Sequence, residues 1–565
     1  MKILVMSLLR IGDVAIAAPV LRDLRTKMGP LAQIDLLVNS QAAAIGPMIT
    51  SVDRVLVFER ETLQKGLGRI DVPFFDSYER LSAFVERLND ENYDLAINLT
   101  HSRLSGWLMN VISVREKQGL VFDAHGRASF GSNWFRYLNT QVDADGTEVF
   151  HFTDVFRFAL KVDQIQARQP ALEETIDGRE ECDAFLKDFG GGSNLVCVQA
   201  LTSDEKKEWG LDRFEEAIKA LANRAPTARI AILGAPSERQ RLQSLIDGLN
   251  AAGVQARLAI VGFEAAYSLV KKAKLVISLD TSIKHLAACA GVPILEISLG
   301  SSDSYRTGAY ADGSVIVKSK ELCAPCVHSK PCHREKKFCA IGLPADAIAM
   351  IAGEMFEGRG FQLKSIADEY SKELEVLRVD TRKIGAFTAA SVREQFSEQS
   401  VGRWIDLTCR RIWLAGAPAS GLDGMGTEAR RLGQFLRSLH PTVSDFEWRF
   451  LLGDFEKQAT SIEGRLNGFK TEIRALHGAY EDPRRMRDYV RGLIGFREKM
   501  RSSALLGSFR AALDQVIEDD ISPPFTRFRR IVDAIAEIDR RTTIHLRLIR
   551  SLERHIEDGI GVEKT

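Results

Sequence analysis

Short apolar runs alternate with longer amphipathic stretches from the beginning of the chain. Strand-like runs cover Ile3 to Leu8, Ile34 to Val38 and Leu95 to Leu99, and a helical pattern covers Val14 to Lys27 between the first two. Apolar runs of this length are typical of parallel strands buried on both faces, and a helix is the usual crossover between such strands. The pattern therefore predicts a βαβ unit at the start of the chain.

The same alternation begins again after Gly190-Gly191-Gly192. Strand-like runs reappear from Leu195 to Leu201 and from Leu275 to Leu279, with amphipathic stretches between them. We therefore predict an N-terminal Rossmann-like domain over residues 1–180 and a second one over residues 190–360. Open α/β sheets bind ligands beyond the carboxyl ends of their strands, so we expect the site in a cleft between the two domains.

From about residue 365 the chain changes to long helical stretches interrupted by glycine and proline. Residues 366–565 are therefore predicted to form an all-α extension. In the last helix a stripe recurs at three- or four-residue spacing, made of Ile531, Ile535, Ile538, Thr542, His545, Ile549, Leu552 and Ile556. Such a stripe is either the seam of an internal bundle or a contact between copies of the chain.

Composition and charge narrow the class of protein. Of the 565 residues, 45% are hydrophobic and 27% are charged, which is typical of soluble globular proteins. The 76 basic and 76 acidic residues balance, so overall charge gives no reason to expect a nucleic-acid partner. Charged residues interrupt the first apolar run, and no other run approaches the roughly 20 residues that span a bilayer. We expect a cytoplasmic protein, either free or lying on the inner face of the inner membrane.

Three polar loops follow predicted strands and precede predicted helices. The first contains Gly12, which would permit a tight turn, and Asp13, which taken alone would be an N-cap. The second runs from Thr202 to Trp209 with hydroxyls and two lysines, and the third begins Asp280-Thr281-Ser282. Helix-start amides, hydroxyls and lysines suit phosphate, although paired lysines are also common on solvated surfaces. A further polar loop from Gly300 to Gly308 adds hydroxyls and Arg306. Because the loops at 202–209, 280–282 and 300–308 converge on one edge, we expect an anion-binding site there.

Together these loops resemble the glycosyltransferase family 9 heptosyltransferases, over about residues 1–355. The resemblance is carried by Gly-Asp-Val at 12–14, Lys-x-Trp at 207–209, Asp-Thr-x-x-x-His-Leu-Ala-Ala at 280–288 and Arg-Thr-Gly at 306–308. These enzymes build the inner core of lipopolysaccharide, and one branch modifies autotransporter proteins. The resemblance implies a GT-B fold, in which two Rossmann-like domains face a cleft, and an inverting transfer of heptose from an ADP-heptose donor.

The resemblance also implies roles for individual residues. Asp13 occupies the position of the general base, Lys207 would contact the donor phosphate, and Asp280 would hold sugar hydroxyls. The amides of Thr281 and Ser282 and the side chain of His285 would lie near the diphosphate. Two further donor-binding candidates are Thr202, from the hydroxyl-rich loop, and Glu238, which would meet the nucleotide ribose.

Two features bear on how the donor is activated. The family usually has glycine at the position of Ser282, and serine disfavours positive φ, which leaves the placement and identity of the donor open. The triplet Asp143-Ala144-Asp145 is similar to the metal-binding motif of other glycosyltransferases, but it lies in a polar turn and not at the end of a nucleotide-binding strand. We therefore expect no catalytic metal.

Four of the eight cysteines crowd into one short segment, at Cys323, Cys326, Cys332 and Cys339. Four soft ligands in a loop can close a tetrahedral site for zinc or iron, and the autotransporter branch of the family has an iron-holding finger. The alternative is a surface loop with reduced thiols, because the later spacings are shorter than in the commonest zinc modules. Of the two, we favour a structural zinc or iron ion.

Three functions are open at this point. The leading hypothesis is a glycosyltransferase that uses ADP-heptose, or a related nucleotide sugar, and a lipopolysaccharide-core or protein acceptor. A GT-B-fold nucleotide-sugar epimerase would need no acceptor, and a non-catalytic sugar-binding scaffold would use its helices to recruit partners. The joint presence of Asp13, Lys207, Asp280 and His285 favours an enzyme. Homo-oligomer formation through the C-terminal helices, and contact of their arginine pairs with anionic lipid, are further expectations.

Overall fold

The computed structural model describes the chain in two compact units. The first comprises Met1–Ala144, Phe150–Thr381 and Ala386–Arg393, and the second holds the helices that follow Arg393. The residues not described are 64–73, 141–149, 163–170, 188, 190–193, 327–329, 361, 382, 385, 416–424, 477–483, 485–487, 490, 496–523 and 559–565. The Asp143-Ala144-Asp145 triplet therefore lies outside the described residues.

Five parallel strands form the sheet of the N-terminal domain. They are β1 Lys2–Ser7, β2 Gln33–Asn39, β3 Arg54–Phe58, β4 Leu95–Asn98 and β5 Glu116–Gly119, in the spatial order β3-β2-β1-β4-β5. β1 pairs with β2 on one side and β4 on the other, so Val5 lies between Leu36 and Ile97. A separate hairpin consists of β6 Val121–Phe122 and β7 Ala128–Ser129. Residues 3–6 of β1 are fully buried, as expected for the central strand of a parallel sheet.

The second domain contains an eight-stranded sheet. Its strands are β8 Leu195–Gln199, β9 Arg229–Gly234, β10 Ala256–Ile260, β11 Leu275–Leu279, β12 Ile294–Ser298, β13 Val315–Ser319, β14 Leu374–Asp380 and β15 Thr388–Ser391. The order is β10-β9-β8-β11-β12-β13-β14-β15; strands β8 to β13 pair in parallel, whereas β14 pairs antiparallel with both β13 and β15. In both domains the first five strands follow the 3-2-1-4-5 order of nucleotide-binding α/β units. The predicted GT-B architecture of two Rossmann-like domains is confirmed.

Helices alternate with these strands throughout the first unit. They are α1 Ile11–Met28, α2 Arg60–Leu63, α3 Phe74–Asp90, α4 Arg103–Val111, α5 Asn133–Thr140, α6 Phe152–Leu160, α7 Ile176–Lys187, α8 Leu211–Arg224, α9 Arg239–Ala251, α10 Phe263–Lys272, α11 Ser282–Ala290, α12 Phe338–Ile341, α13 Ala345–Glu357 and α14 Leu363–Glu369. Helices α8 and α13 pack on each other, and their apolar faces join the core beneath the second sheet. That core fixes the strand ends from which the polar loops project.

Strands β14 and β15 correct the prediction that the chain is entirely helical from residue 366. β14 pairs antiparallel with β13, with Ser319 opposite Leu374, and β15 extends the sheet by one more strand. Leu374 and Val376 belong to the core of the second domain, together with Ile366 of α14. The prediction failed because residues 374–380 mix apolar and charged side chains over a short stretch beside helical sequence, without strict alternation. Their pairing with β13 is what makes them a strand.

The two Rossmann-like domains meet through three helices of the first unit. Asp154 Oδ2 of α6 accepts the backbone N–H of Phe387, which precedes β15 of the second domain, at 2.6 Å. Cys289 Sγ of α11 donates to the carbonyl of Ala15, at 3.2 Å, and α1 packs along α11. Because α1 follows β1 and α11 follows β11, this packing brings the carboxyl ends of the two strands together.

The second unit is a helical bundle, as predicted. Its long helices are α15 Glu398–Leu414, α16 Met425–Leu439, α17 Asp445–Leu476 and α18 Pro524–Asp558. α18 packs against the other three, and its stripe is buried from Ile531 to Leu552, while the side chain of Ile556 lies outside the described part. The stripe is therefore a seam inside the bundle. Within the described ranges, each helix is either too short or too polar to cross a bilayer.

Candidate active site

A cluster of buried charges lies at the carboxyl end of β11. Lys207 Nζ donates to Asp280 Oδ2 at 2.6 Å, and Lys284 Nζ donates to the other carboxylate oxygen, Oδ1, at 2.5 Å. Lys207 belongs to the 3-10 turn after β8, whereas Lys284 lies in the first turn of α11. Since β8 and β11 are adjacent parallel strands, both lysines reach Asp280 from the same edge of the sheet.

Lys284 connects Asp280 to a second buried acid. Its Nζ also donates to Glu296 Oε1 of β12 at 2.9 Å and to the carbonyl of Thr307 at 2.8 Å. Glu296 Oε2 in turn accepts the N–H of Ala309 at 2.8 Å. Isolated charges are costly to bury, so these contacts are what make a fully buried lysine and glutamate tolerable here. The cluster also holds the Arg-Thr-Gly segment against β12.

The charges of this cluster determine the protonation of its members. Burial alone would raise the pKa of Asp280, but Lys284 and then Lys207 hold that pKa well below its usual range. Burial, reinforced by the charge of Lys284, lowers the pKa of His285 to about 3. His285 Nε2 lies 3.9 Å from Asp280 Oδ1. At neutral pH the site therefore presents a neutral imidazole beside an ionised carboxylate.

Gly12 brings the N-terminal domain into contact with this cluster. A Cβ atom at position 12 would lie 3.1 Å from His285 Cδ2 and 3.8 Å from the Cα of Ser282. Gly12 itself has ordinary helical backbone near the start of α1, without a positive φ. The tight turn expected from the sequence is therefore not the reason for glycine at this position. Glycine suits this position because the two domains approach each other closely there, and a Cβ atom would press on the ring of His285.

Asp13 is the third residue of α1, and its Oδ2 accepts the N–H of Arg10 at 3.0 Å. This corrects its interpretation as an N-cap, because Arg10 holds that position and Asp13 bonds back to it, as in a capping box. Burial raises the pKa of Asp13, and the hydrogen bond from Arg10 opposes the rise. Asp280 raises the pKa of Asp13 and Lys207 lowers it, so charges of the second domain influence the ionisation of this carboxylate in the first.

The predicted donor-binding hydroxyls line the neighbouring loops. Thr202 Oγ1 accepts the N–H of Asp204 at 3.1 Å and orders the turn that carries Lys207. Thr281 Oγ1 lies 3.3 Å from Ser278 Oγ. Ser282 begins the nine-residue helix α11 in helical conformation, so serine causes no backbone strain there. The departure from the family's glycine therefore does not disturb the local backbone.

Glu238 lies just beyond the carboxyl end of β9, the strand beside β8. Its Oε2 accepts the N–H of Ala235 at 2.8 Å and closes the turn that precedes α9. This hydrogen bond gives Glu238 a structural role in the turn. Its contact with a nucleotide ribose stays a prediction.

The cysteine segment is attached to two loops of the second domain, the one that begins at Gly300 and the one that carries Lys207. Cys326 N–H donates to the carbonyl of Gly300 at 2.7 Å, and Lys337 Nζ donates to the carbonyl of Glu205 at 2.6 Å. Burial raises the pKa of both Cys326 and Cys339. In the part of the chain that the structure describes, no three His, Cys, Asp or Glu side chains stand close enough to hold a metal ion. A zinc or iron ion here stays a prediction, and no step below depends on it.

Lys284 and Glu296 are the members of the cluster that sequence analysis missed. Each interrupts an otherwise apolar segment, Ile283-Lys284-His285-Leu286 in one case and Ile294-Leu295-Glu296-Ile297 in the other. Lysine and glutamate are rarely buried unless they are paired. Opposite charges in two successive buried elements were the signal that could have identified this pair.

Comparison with known proteins gives matches over the two α/β domains. The model of the family described as glycosyltransferase family 9 (heptosyltransferase) matches residues 81–337, which include Lys207 and Asp280 but not Asp13. Lipopolysaccharide heptosyltransferase 1 of Pseudomonas aeruginosa is 27% identical over 327 residues, covering 58% of this chain and 86% of that protein. Lipopolysaccharide heptosyltransferase 3 of Escherichia coli K12 is 22% identical over 299 residues, covering 52% and 80%.

Solved structures of the same family are also similar. The family 9 glycosyltransferase of Veillonella parvula has a TM-score of 0.48 at 17% identity, covering 63% of this chain and 97% of that one. The E. coli heptosyltransferase WaaC with ADP has a TM-score of 0.44 at 20% identity, covering 63% and 100%. The sequence matches, and not the structural ones, give the class: the α/β part of the chain is similar over residues 81–337 to glycosyltransferase family 9, the heptosyltransferase family, and the protein is by class a glycosyltransferase.

Proposed function

We propose that this protein is an inverting glycosyltransferase that transfers heptose, or a closely similar sugar, from an ADP-sugar donor to a lipopolysaccharide-core acceptor. The observation that carries the proposal is that Gly12, next to Asp13 in the first domain, lies against His285 and Ser282 of the second, which brings Asp13 towards the Lys207–Asp280 pair. The matched relatives named above are lipopolysaccharide heptosyltransferases, which favours lipopolysaccharide core over protein as the acceptor.

Asp13 acts as the general base in the proposed reaction. Its carboxylate takes the proton from an acceptor hydroxyl while that oxygen attacks the anomeric carbon, which requires an approach to about 3 Å. The new carbon–oxygen bond forms as the bond between the anomeric carbon and the diphosphate breaks, and ADP leaves with the bonding electron pair. Because attack occurs opposite the leaving group, a single displacement inverts the anomeric configuration.

Lys207 and the start of α11 stabilise the leaving diphosphate. The amine offsets the negative charge that grows on the departing oxygen, and the amides of Thr281 and Ser282 present the positive end of the helix dipole. Asp280 accepts hydrogen bonds from sugar hydroxyls once Lys207 turns towards phosphate. His285 contributes a neutral ring, since its pKa of about 3 excludes an imidazolium at neutral pH.

The test is turnover of ADP-heptose by the full chain in three reactions: without acceptor, with a heptose-free lipopolysaccharide core, and with an autotransporter protein. We expect ADP release that depends on the lipopolysaccharide core, with a product heavier by one heptose. NMR of the new glycosidic bond should show the anomeric configuration opposite to that of the donor.

The other outcomes separate the competing functions. Conversion of the nucleotide sugar into an isomer without acceptor would indicate an epimerase. Binding of ADP-heptose without any turnover would indicate a sugar-binding scaffold. Transfer of heptose to the autotransporter protein alone would show that the proposed acceptor is wrong, while the proposed donor and reaction would stand.

A further inference from the structure

We propose that Lys284 is a positioning residue that holds the Asp280 carboxylate in place and keeps it paired while Lys207 turns to the donor diphosphate. The inference rests on the proposed function, because it assigns the two lysines different tasks during donor binding. It makes Lys207 the exchangeable partner of Asp280 and Lys284 the permanent one.

The two lysines approach the carboxylate from different environments. Each takes one oxygen, Lys207 taking Oδ2 and Lys284 taking Oδ1. The Lys207 side chain is 12% exposed and comes from a loop, whereas the Lys284 side chain has 0% exposure and rises from α11. Lys207 can therefore meet a ligand from solvent. Lys284 cannot leave without breaking its bonds to Glu296 and the carbonyl of Thr307.

Electrostatics explains why a second cation is needed. A diphosphate brings negative charge to Lys207 and competes with Asp280 for the same amine. A buried carboxylate that loses its only cation is strongly destabilised, and it would turn away or take up a proton. Lys284 prevents this from the opposite side. Burial would lower the pKa of Lys284, but Asp280 and Glu296 raise it above its ordinary value, so its amine stays charged.

The same amine also fixes the wall of the site. Lys284 holds the carbonyl of Thr307, Glu296 holds the N–H of Ala309, and His151 Nε2 lies 3.1 Å from the carbonyl of Gly308 between them. The position of Asp280 relative to the 307–309 segment is therefore set by Lys284 and Glu296. Substitution of Lys284 or Glu296 should therefore affect binding of the sugar part of the donor more than binding of its nucleotide part.

The choice of variants follows from the charges. Lys284→Met alone would leave Glu296 buried without its lysine and Asp280 with Lys207 alone, so this variant risks misfolding. The double variant Lys284→Met/Glu296→Gln removes one charge of each sign and keeps the Lys207–Asp280 pair. Glu296→Gln alone retains Lys284, so the loss in the double variant beyond that of Glu296→Gln measures Lys284 itself.

The experiment compares the full-length wild type, Glu296→Gln, the double variant and Asp280→Asn. Calorimetry with ADP and with ADP-heptose gives two affinities for each protein, and thermal unfolding confirms that each is folded. We expect the double variant to bind ADP within about two-fold of Glu296→Gln and ADP-heptose about 10-fold or more weakly, the scale of a lost charge-assisted hydrogen bond. Its ADP-heptose affinity should approach that of Asp280→Asn.

A crystal structure of the double variant with ADP bound provides a readout that does not depend on the sugar. We expect the Asp280 carboxylate to leave its wild-type position once Lys207 contacts the diphosphate. An unmoved carboxylate, or ADP-heptose affinity equal to that of Glu296→Gln, would overturn the role of Lys284. If the wild type does not bind ADP-heptose, the proposed function fails, and the position of Asp280 in the crystal still decides the inference.

Discussion

Asp13 serves two purposes with one carboxylate, because it closes the first turn of α1 and also stands beside the charged cluster. Asparagine at this position keeps an oxygen that accepts the N–H of Arg10, but it cannot take a proton. Asp13→Asn should therefore retain the fold and the affinity for ADP while turnover falls about 100-fold or more. Thermal unfolding, ADP calorimetry and initial rates measure the three quantities.

The matched control for this variant is Asp123→Asn. Asp123 accepts the N–H groups of His125 and Arg127 in an exposed turn, so the substitution tests loss of a turn-closing carboxylate away from the site. Its turnover should equal that of the wild type. Normal turnover of Asp13→Asn would reduce Asp13 to a residue that only closes its helix.

Asp13 also sets the expected response of the reaction to pH. Because burial raises its pKa above the ordinary 3.8, the base form is lost as pH falls through that raised pKa. The acid limb of kcat/KM should therefore titrate above pH 3.8, and it should be absent from the residual activity of Asp13→Asn. An unchanged acid limb in the variant would assign the titration to another group.

The lowered pKa of His285 predicts how the free energy of unfolding depends on pH. In the unfolded chain it takes up a proton as pH falls through 6.5, whereas in the folded protein it stays neutral until about pH 3. Unfolding therefore takes up a proton in this window, and the free energy of unfolding decreases by about 1.4 kcal/mol per pH unit for that group as pH falls. His285→Gln should show a shallower slope between pH 4 and pH 6, as measured by urea unfolding.

A control and a second histidine complete this test. His125→Gln, in an exposed turn, should keep the wild-type slope. His151 is also buried, with its pKa lowered well below the ordinary value, so some dependence on pH will persist in His285→Gln. Equal slopes for His285→Gln and the wild type would contradict the lowered pKa of His285.

At the scale of elements, the sequence was most informative where apolar runs were long. Strands β1, β8 and β11 are continuous and buried, so the loops after them, with Asp13, Lys207 and Asp280, could be identified from the order of residues alone. Strands β14 and β15 could not, because their stabilisation comes from pairing with β13, which is distant in sequence. Local periodicity does not carry that information.

The same limit applies within the site. The role of Gly12 was inferred from turn chemistry, but its real constraint is a side chain in the other domain, His285. Lys284 and Glu296 could have been recognised in the sequence, because a charged residue inside a buried segment needs a partner of opposite charge. Which partners they take depends on the packing of α11 against β12 and on the 307–309 segment.

The cysteine segment leads to a prediction about the metal content of the protein. We expect about one zinc or iron ion per chain, held structurally, because four thiolates leave no coordination position for substrate or water. Elemental analysis of protein purified without added metal or chelator measures it. Cys323→Ser/Cys326→Ser should lose the ion, whereas Cys409→Ser, which changes a buried thiol of α15, should keep it. Wild-type protein without zinc or iron would leave the segment as a loop with reduced thiols.

At the scale of the whole molecule, the boundary between the two units decides where the chain can be cut. A chain ending after Arg393 keeps every strand of the second sheet, so it should fold and bind ADP. A chain ending at residue 365 loses β14 and β15, uncovers the edge of β13 and removes Ile366, Leu374 and Val376 from the core. We expect the shorter chain to aggregate.

Calorimetry with ADP and light scattering on both truncated chains test this boundary. Acceptor kinetics of the longer one test whether the helical bundle takes part in acceptor use or assembly, as proposed from the sequence. Unchanged kinetics and unchanged mass per assembly would exclude both roles. A well-behaved chain ending at residue 365 would show that β14 and β15 are dispensable.

The contact between Gly12 and His285 has a consequence for recombination between relatives. A Cβ atom at position 12 would lie 3.1 Å from the ring of His285, closer than side chains ordinarily pack, so each residue affects what the other position can hold. Chimeras that join the first domain of one enzyme to the second domain of another inherit the two residues from different parents. Such chimeras should be most active where Gly12 and His285 are both kept, and a library screened for active hybrids should recover the two residues together.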